Sequence, residues 1–343
     1  MSIALDLGSH RFRSLRRLDE QLIARQDRAG YCVLPALDSY QHLLSKAGIP
    51  FARCEDSLVL MGEGSDEFAT LFQTEFVPVV PEGMIPRNDP LSRQVLAAMV
   101  DSMLPDPRIP GESCYVAFPQ GTEDESLLSA DGEFFKRLIR LRGYEPMPMR
   151  PGMAVVLTDL VDTGFTGIGL NFGASSCDTV LAWRGVEIAY AHIAKGGNWI
   201  DECLATENDQ FAWAPDGSKH LDIDGASQSK LSFAGSLLEP KSRQEQLLAT
   251  LYRDLIASCV QKAIRAIAGS ARLNEIRKPV PVVCAGGVTK IEGFHQLVAS
   301  ALQSVSLPLQ IDEVRESTSV EFAVARGCLI AAELDHQTHA KAA

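Results

Sequence analysis

The chain has 343 residues, 46% of them hydrophobic and 22% charged, with 26 Gly and 18 Pro, a balance that excludes disordered and collagen-like proteins. Its formal net charge of −12 argues against nucleic-acid binding as the main task, because phosphate contacts need a positive surface. No apolar run approaches the roughly 18 residues that span a bilayer.

At roughly 100–200 residues per domain, the length predicts two domains. The opening Met1-Ser2-Ile3-Ala4-Leu5 lacks the basic start and apolar stretch of a secretory signal, so a cytoplasmic location is expected. In chain order, Ser2 to Leu5 reads as a buried strand, Asp6 to Ser9 as a tight turn and Arg11 to Arg17 as a returning strand. His10, Arg11 and Arg13 then either add anion contacts or form an exposed edge strand guarded by charge. Phe76 to Met84 reads as a strand entering the core. Asp89-Pro90 supplies an N-cap and first-turn proline for a helix carrying Val95, Leu96, Met99, Val100 and Met103. A second helix is expected to open at Asp131 and close at Gly143.

Gly167 to Phe172, Gly173 to Ser176 and Cys177 to Trp183 repeat the strand, turn and return of the N-terminus. The polar residues at the two strand ends, Asp6 and Asn171, lie 165 residues apart, nearly half the chain. That is the mark of a duplicated domain, and the helices that follow the strands make the class α/β. Thr206 to Ser229 is polar and reads as a small exposed subdomain or long loop, with Asp222-Ile223-Asp224-Gly225 as a hairpin turn. A calcium loop needs a ladder of oxygen ligands ending in Glu, which is missing there. The longest helix is expected from about Gln244 to Ala268, stopped by Gly269. Val280 to Val283 reads as a strand, followed by a glycine turn and a helix. The eight cysteines are scattered without a C-x-x-C spacing, so they read as small hydrophobes rather than as zinc ligands or disulfides.

Four motifs could carry chemistry. Asp6-Leu7-Gly8-Ser9 puts a carboxylate at a strand end beside a turn whose N–H groups and hydroxyl can face a phosphate. Asn171 to Ser176 (NFGASS) offers a similar small-residue loop, where close approach to an anion needs Gly or Ala. Gly196-Gly197 sits just before a helix start, and Cys284-Ala285-Gly286-Gly287 forms a strand, glycine turn and helix. Each alone is also what an ordinary turn looks like.

Taken in order with Glu145-Pro146-Met147 and Val324 to Gly327 (VARG), these motifs resemble the actin-like ATPase superfamily, and within it the MreB group of bacterial actins. The anchors run from Asp6 to Gly327, so the resemblance covers almost the whole chain. It implies two RNase-H-like domains flanking a nucleotide cleft that takes ATP and Mg2+. Domain I would be residues 1–155 plus 318–335, with a small subdomain at about 30–79, and domain II residues 156–317, with one at about 195–243. By match, Gly8, Ser9, Gly173, Ala174, Ser175 and Ser176 would cradle phosphates, with His10 as a further contact. Asp6 would hold the metal through water. Gly196 and Gly197 would line the ribose and phosphate side, and Gly286, Gly287 and Val288 the adenine side. Asp178 matches an acidic family position and reads as structural.

The departures bear on turnover. The family has an aspartate where this chain has Asn171, which cannot accept a proton, so hydrolysis is expected to be slow or absent. Glu125 is the candidate for positioning the attacking water, in competition with a simple helix-capping role for the Glu123-Asp124-Glu125 run. The resemblance implies self-association into filaments, with a non-polymerising scaffold and, third, a small-molecule kinase as alternatives. Membrane contact, if made, would be peripheral, and no nucleic-acid partner is expected.

Overall fold

The two halves of the chain build sheets with the same strand order. In the computed structural model, which describes residues 3–213 and 217–342, the first sheet comprises β1 (Ile3–Leu7), β2 (Arg11–Leu18) and β3 (Gln21–Arg28), and later β8 (Glu112–Ala117) and β9 (Tyr144–Pro148). Between them come β4 (Gly30–Pro35), α1 (Asp38–Lys46), β5 (Ala52–Cys54), β6 (Ser57–Met61), α2 (Ser65–Leu71), β7 (Phe76–Pro78) and α3 (Pro90–Met103), with α4 (Glu125–Leu141) ahead of β9. The second half supplies α5 (Pro151–Asp159), β10 (Gly167–Phe172), β11 (Cys177–Trp183), β12 (Val186–Ile193) and α6 (Gly197–Glu207). It continues with β13 (Phe211–Trp213), β14 (Lys219–Leu221), α7 (Ile223–Leu231), α8 (Arg243–Ala268), β15 (Val280–Ala285), α9 (Phe294–Gln303), β16 (Ile311–Glu316) and α10 (Ala323–Ala342).

The orders are β3-β2-β1-β8-β9 and β12-β11-β10-β15-β16. In each sheet a hairpin is followed by parallel strands, so β10, β11 and β15 repeat β1, β2 and β8. The duplication expected from Asp6 and Asn171 is therefore present in the topology. Ser2, the expected start of the first strand, lies outside the described residues, as do residues 214–216 of the polar stretch.

Internal contacts divide the chain into two units. The first holds Met1–Pro119, Asp124–Pro148 and Ala332–Ala343, and the second Gln120–Glu123 and Met149–Ala331. In the first, Ile3, Leu5 and Leu7 pack with Phe12, with Val95, Leu96, Met99 and Val100 of α3, and with Phe135 and Ile139 of α4. The strand expected over Phe76 to Met84 is only Phe76–Pro78, followed by a single 3-10 turn at Pro81–Gly83, while Val79 and Val80 between them are fully buried. A four-stranded sheet, β5-β6-β4-β7, forms a smaller element of this unit. In the second unit, Ile168, Leu170 and Phe172 pack against α8 and α9, and Val155 and Val156 of α5, with Leu160 just after it, cover the other face against Val180 of β11 and Val283 of β15.

Two glycines make that second layer possible. A Cβ on Gly169 would lie 2.2 Å from the Gly152 carbonyl of α5, and one on Gly327 of α10 would lie 1.9 Å from the Ala154 carbonyl. The terminal VARG motif thus seats α10 directly on the backbone of α5.

Three element readings are corrected. The helix expected to open at Asp131 starts at Glu125, with Asp124 as its cap, accepting from the Ser126 and Leu127 N–H groups. Asp131 lies inside it, and its carboxylate holds the Ile85 N–H and Arg87. Asp222 to Gly225 is no hairpin turn: Asp222 caps α7 by accepting from the Gly225 N–H. Nor does β2 lie at a sheet edge, since β3 is outside it. Among the described residues all the cysteines are free, with six buried, and no helix is long and apolar enough to cross a membrane.

Candidate functional site

The second unit brings three of the predicted loops together. The β10–β11 turn is closed by the Gly173 N–H, which donates to the Ser176 carbonyl at 2.8 Å. That turn sits on the first turn of α6: Gly197 N–H donates to the Gly173 carbonyl at 3.0 Å and Asn198 N–H to the Ala174 carbonyl at 2.8 Å. Helix-start N–H groups need partners, and here the neighbouring loop supplies them. Such an approach requires glycine, since a Cβ on Gly196 would lie 2.4 Å from the Gly173 carbonyl oxygen. The pair Gly196-Gly197 is thus first a packing device, and these two N–H groups are spent within the chain.

The third loop follows β15. Gly286 has φ +103°, a conformation suited to glycine, and its Cβ position is 2.2 Å from the Phe172 carbonyl. Val288 reaches α6, its Cγ2 lying 3.1 Å from the Cβ position of Gly197. Gly287 differs from Gly8, Gly173, Gly196, Gly197 and Gly286: a Cβ there would meet no heavy atom within 4 Å. It is the site glycine whose face opens onto space. Ser175 and Ser176, on the turn, are 7% and 8% exposed.

Sequence reasoning missed Lys230. Its ammonium, carried by α7, donates to the Gly197 carbonyl at 3.0 Å and pairs with the Asp201 carboxylate at 2.7 Å. Burial pushes the Lys230 ammonium below its usual range and the Asp201 carboxyl above its own, each partly offset by the other. A buried ion pair of this kind ties α7 to the start of α6. The only signal in the sequence was Asp201 four residues after Gly197, one helical turn on.

In the first unit, Gly8, Ser9 and His10 form the β1–β2 turn. The His10 carbonyl accepts from the Ala29 N–H and from Arg28, whose guanidinium also meets the His10 ring. Arg11 pairs with Glu63. Register places Arg13 directly opposite Asp6, and its guanidinium lies 3.6 Å from the Asp6 carboxylate. Burial pushes the Asp6 carboxyl up to about 6 against the pull of Arg13. Arg11 and Arg13 are therefore engaged by carboxylates of the chain itself.

Asn171 occupies the place on β10 that Asp6 has on β1, and its cross-strand partner is Asp178. Asp178, 1% exposed, accepts from the Tyr190 hydroxyl at 3.0 Å and lies 3.6 Å from His192 Nδ1. Glu125 is exposed in the first turn of α4, directly after the capping Asp124. That is where negative charge offsets the helix dipole.

The volactin family model matches residues 1–332. The chain belongs to the volactin family. No curated protein matches its sequence. Among solved structures, this volactin-family chain is similar to the MamK double helical filament, with a TM-score of 0.69 at 14% identity over 97% of this chain and 99% of that one. It is also similar to MreB5 of Spiroplasma citri bound to AMPPNP, with a TM-score of 0.68 at 13% identity over 99% and 98%. The ADP-bound MreB5 gives 0.66 at 13% over 98% and 97%. The fold is therefore the actin-like α/β fold, as the ordered motifs implied.

Proposed function

We propose that this volactin-family chain is an ATP-binding, actin-like cytoskeletal protein that assembles into filaments and turns its nucleotide over slowly. The observation that carries the nucleotide half is Gly287, open on one side within a set of loops otherwise packed to contact. Adenine fits beside a residue that offers backbone and no side chain, and Gly286 and Val288 would flank it. Ser175 and Ser176 supply hydroxyls, and the turn of Gly173 and Ala174 keeps the backbone low enough for phosphate oxygens to approach. Lys230, paired with Asp201, holds the Gly197 carbonyl and with it the start of α6 in place. In the first unit, Gly8 and Ser9 would present the corresponding turn to phosphate, with His10 beside them.

Among the described residues no group of three or more His, Cys, Asp or Glu could hold a metal ion. Magnesium is commonly bound by one or two carboxylates together with nucleotide phosphates, and Asp6 fits as the single carboxylate. When bound, the ion would neutralise phosphate charge. Arg13 already balances Asp6 in this chain, so the metal contact is made in competition with that guanidinium.

Slow turnover rests on Asn171, which orients a hydrogen bond but takes no proton. Glu125 remains the proposed water-positioning group. The filament half is supported by the fold shared with MamK, whose structure is a double helical filament. A cytoplasmic location, self-association as the main contact and no nucleic-acid partner complete the reading, in keeping with the net charge of −12. Sedimentation and negative-stain electron microscopy with ATP and magnesium test it. Filaments that need nucleotide are expected, and dispersed protein under every nucleotide condition would leave a non-polymerising scaffold instead.

A further inference from the structure

A buried polar cluster in the second unit lies outside the roles assigned above. The chain leaves the first unit at Pro119, runs through Gln120–Glu123 in the second, and returns at Asp124. Three side chains of the second unit hold this short crossing. The Tyr190 hydroxyl shares its one proton between Gln120 Oε1 and Asp178, His192 Nε2 lies 3.1 Å from the Thr122 carbonyl, and Lys262 of α8 pairs with Glu123 at 2.7 Å. The Arg150 guanidinium stacks 3.4 Å from the centre of the Tyr190 ring and pairs with Glu187 at 3.2 Å.

His192 is the group in this cluster with unfinished business. It is 7% exposed, and its Nδ1, buried without a hydrogen-bond partner, lies 3.6 Å from the Asp178 carboxylate. Both ring nitrogens thus face acceptors, the Thr122 carbonyl on one side and a carboxylate on the other. A neutral ring that donates to Thr122 turns its Nδ1 lone pair toward Asp178. A protonated ring donates at both nitrogens. The charged groups around it are Asp178 from β11, Arg150 stacked on Tyr190, Glu187 at the far end of β12, and the Lys262–Glu123 pair on the α8 side. Arg150 is neutralised by Glu187 and Lys262 by Glu123, so the unpaired charge nearest the ring is Asp178.

We propose that His192 and Asp178 form a proton-operated latch on the Gln120–Glu123 crossing, closed when the imidazole carries its second proton and loosened when it does not. Histidine is the side chain suited to such a change near neutral pH. The latch fixes the backbone directly ahead of Asp124, the cap that starts α4. This inference is independent of the nucleotide reading, because none of its residues is assigned to nucleotide.

The test uses the full chain and a Glu-specific protease, reading cleavage after Glu123 and Glu125 in the folded protein. His192→Gln retains a donor for Thr122 but cannot charge. The ratio of its cleavage rate to that of the wild type at the same pH cancels the protease's own pH dependence. A ratio of roughly ten at pH 6, the advantage of a charged over a neutral hydrogen bond, falling toward one at pH 8, is expected. A ratio equal at the two pH values overturns the latch. Should the variant fold poorly, the wild type labelled with 15N-histidine decides the matter. A His192 ring that gains its second proton between pH 8 and pH 5.5, with the Gly121 amide shifting in step, supports the latch. A ring that keeps one protonation state throughout that range overturns it.

Discussion

Replacing Asp6 by asparagine should stabilise the first unit at neutral pH. The Asp6 carboxyl is 15% exposed at the end of β1, and burial moves its titration from 3.8 to about 6 despite Arg13 opposite. An acid whose folded value is raised makes folding harder once it must ionise. The cost is absent below the unfolded value, grows as pH rises from about 4 to about 6, and is complete above that. The displacement corresponds to about 3 kcal/mol, an upper figure because the group retains some water. Asparagine has the size and oxygen of the protonated acid and never ionises. Asp6→Asn should therefore match the wild type near pH 4 and exceed its stability by about 2–3 kcal/mol at pH 7.5. The three tryptophans, Trp183, Trp199 and Trp213, all lie in the second unit, so their fluorescence does not report this. Hydrogen exchange at the β1 and β8 amides does. Equal or lower protection in Asp6→Asn at pH 7.5 would refute the reasoning, and with it the idea that a costly carboxylate is kept there for a ligand.

Lys230→Met should destabilise the second unit by about 3 kcal/mol, because it leaves Asp201 buried without its cation; tryptophan-detected urea unfolding reads this directly. Gly286→Ala should cost at least about 2 kcal/mol, since φ +103° and the Phe172 carbonyl 2.2 Å from the new Cβ both oppose it, and thermal unfolding measures the loss. Asn171→Asp should raise steady-state phosphate release roughly tenfold or more if charge at that place is what turnover lacks. The same variant puts a second carboxylate opposite Asp178, so it should unfold more easily at pH 8 than at pH 5. Unchanged phosphate release would move the explanation of slow turnover away from Asn171.

The hairpin around Gly173 was legible because an apolar run, four small turn residues and a second apolar run leave one way to fold. β10 and β11 start and stop where the sequence puts them. The start of α4 was not, because Glu123 to Ser126 is an exposed polar run that reads equally as loop, and Leu127 and Leu128 behind it are only half-buried. The strong-looking cap Asp131 is instead used as a side-chain bridge to Ile85 and Arg87. α7 was hidden for a related reason: Ile223 to Leu231 is polar and contains Gly225, and it owes its place to the Lys230–Asp201 pair rather than to helix propensity. The candidate residues were legible as a list of loops, while what their hydrogen bonds are spent on was not. Nothing in Gly196-Gly197 says that the following N–H groups are taken by Gly173 and Ala174. The pairing of Asp6 with Arg13 could have been found by counting hairpin register inward from Leu7 and Phe12.

The central claim is that adenine nucleotide binds against the open face of Gly287, and calorimetric titration of ATP into the wild type and Gly287→Ile tests it most directly. A Cβ at this position meets nothing within 4 Å, so the variant should fold with unchanged thermal stability, and its side chain should fill the space that adenine needs. Micromolar-range binding by the wild type, about −8 kcal/mol, with a loss of a hundredfold or more in Gly287→Ile, is the predicted result. Equal ATP affinity in the two proteins, or no binding by the well-folded wild type, would contradict it.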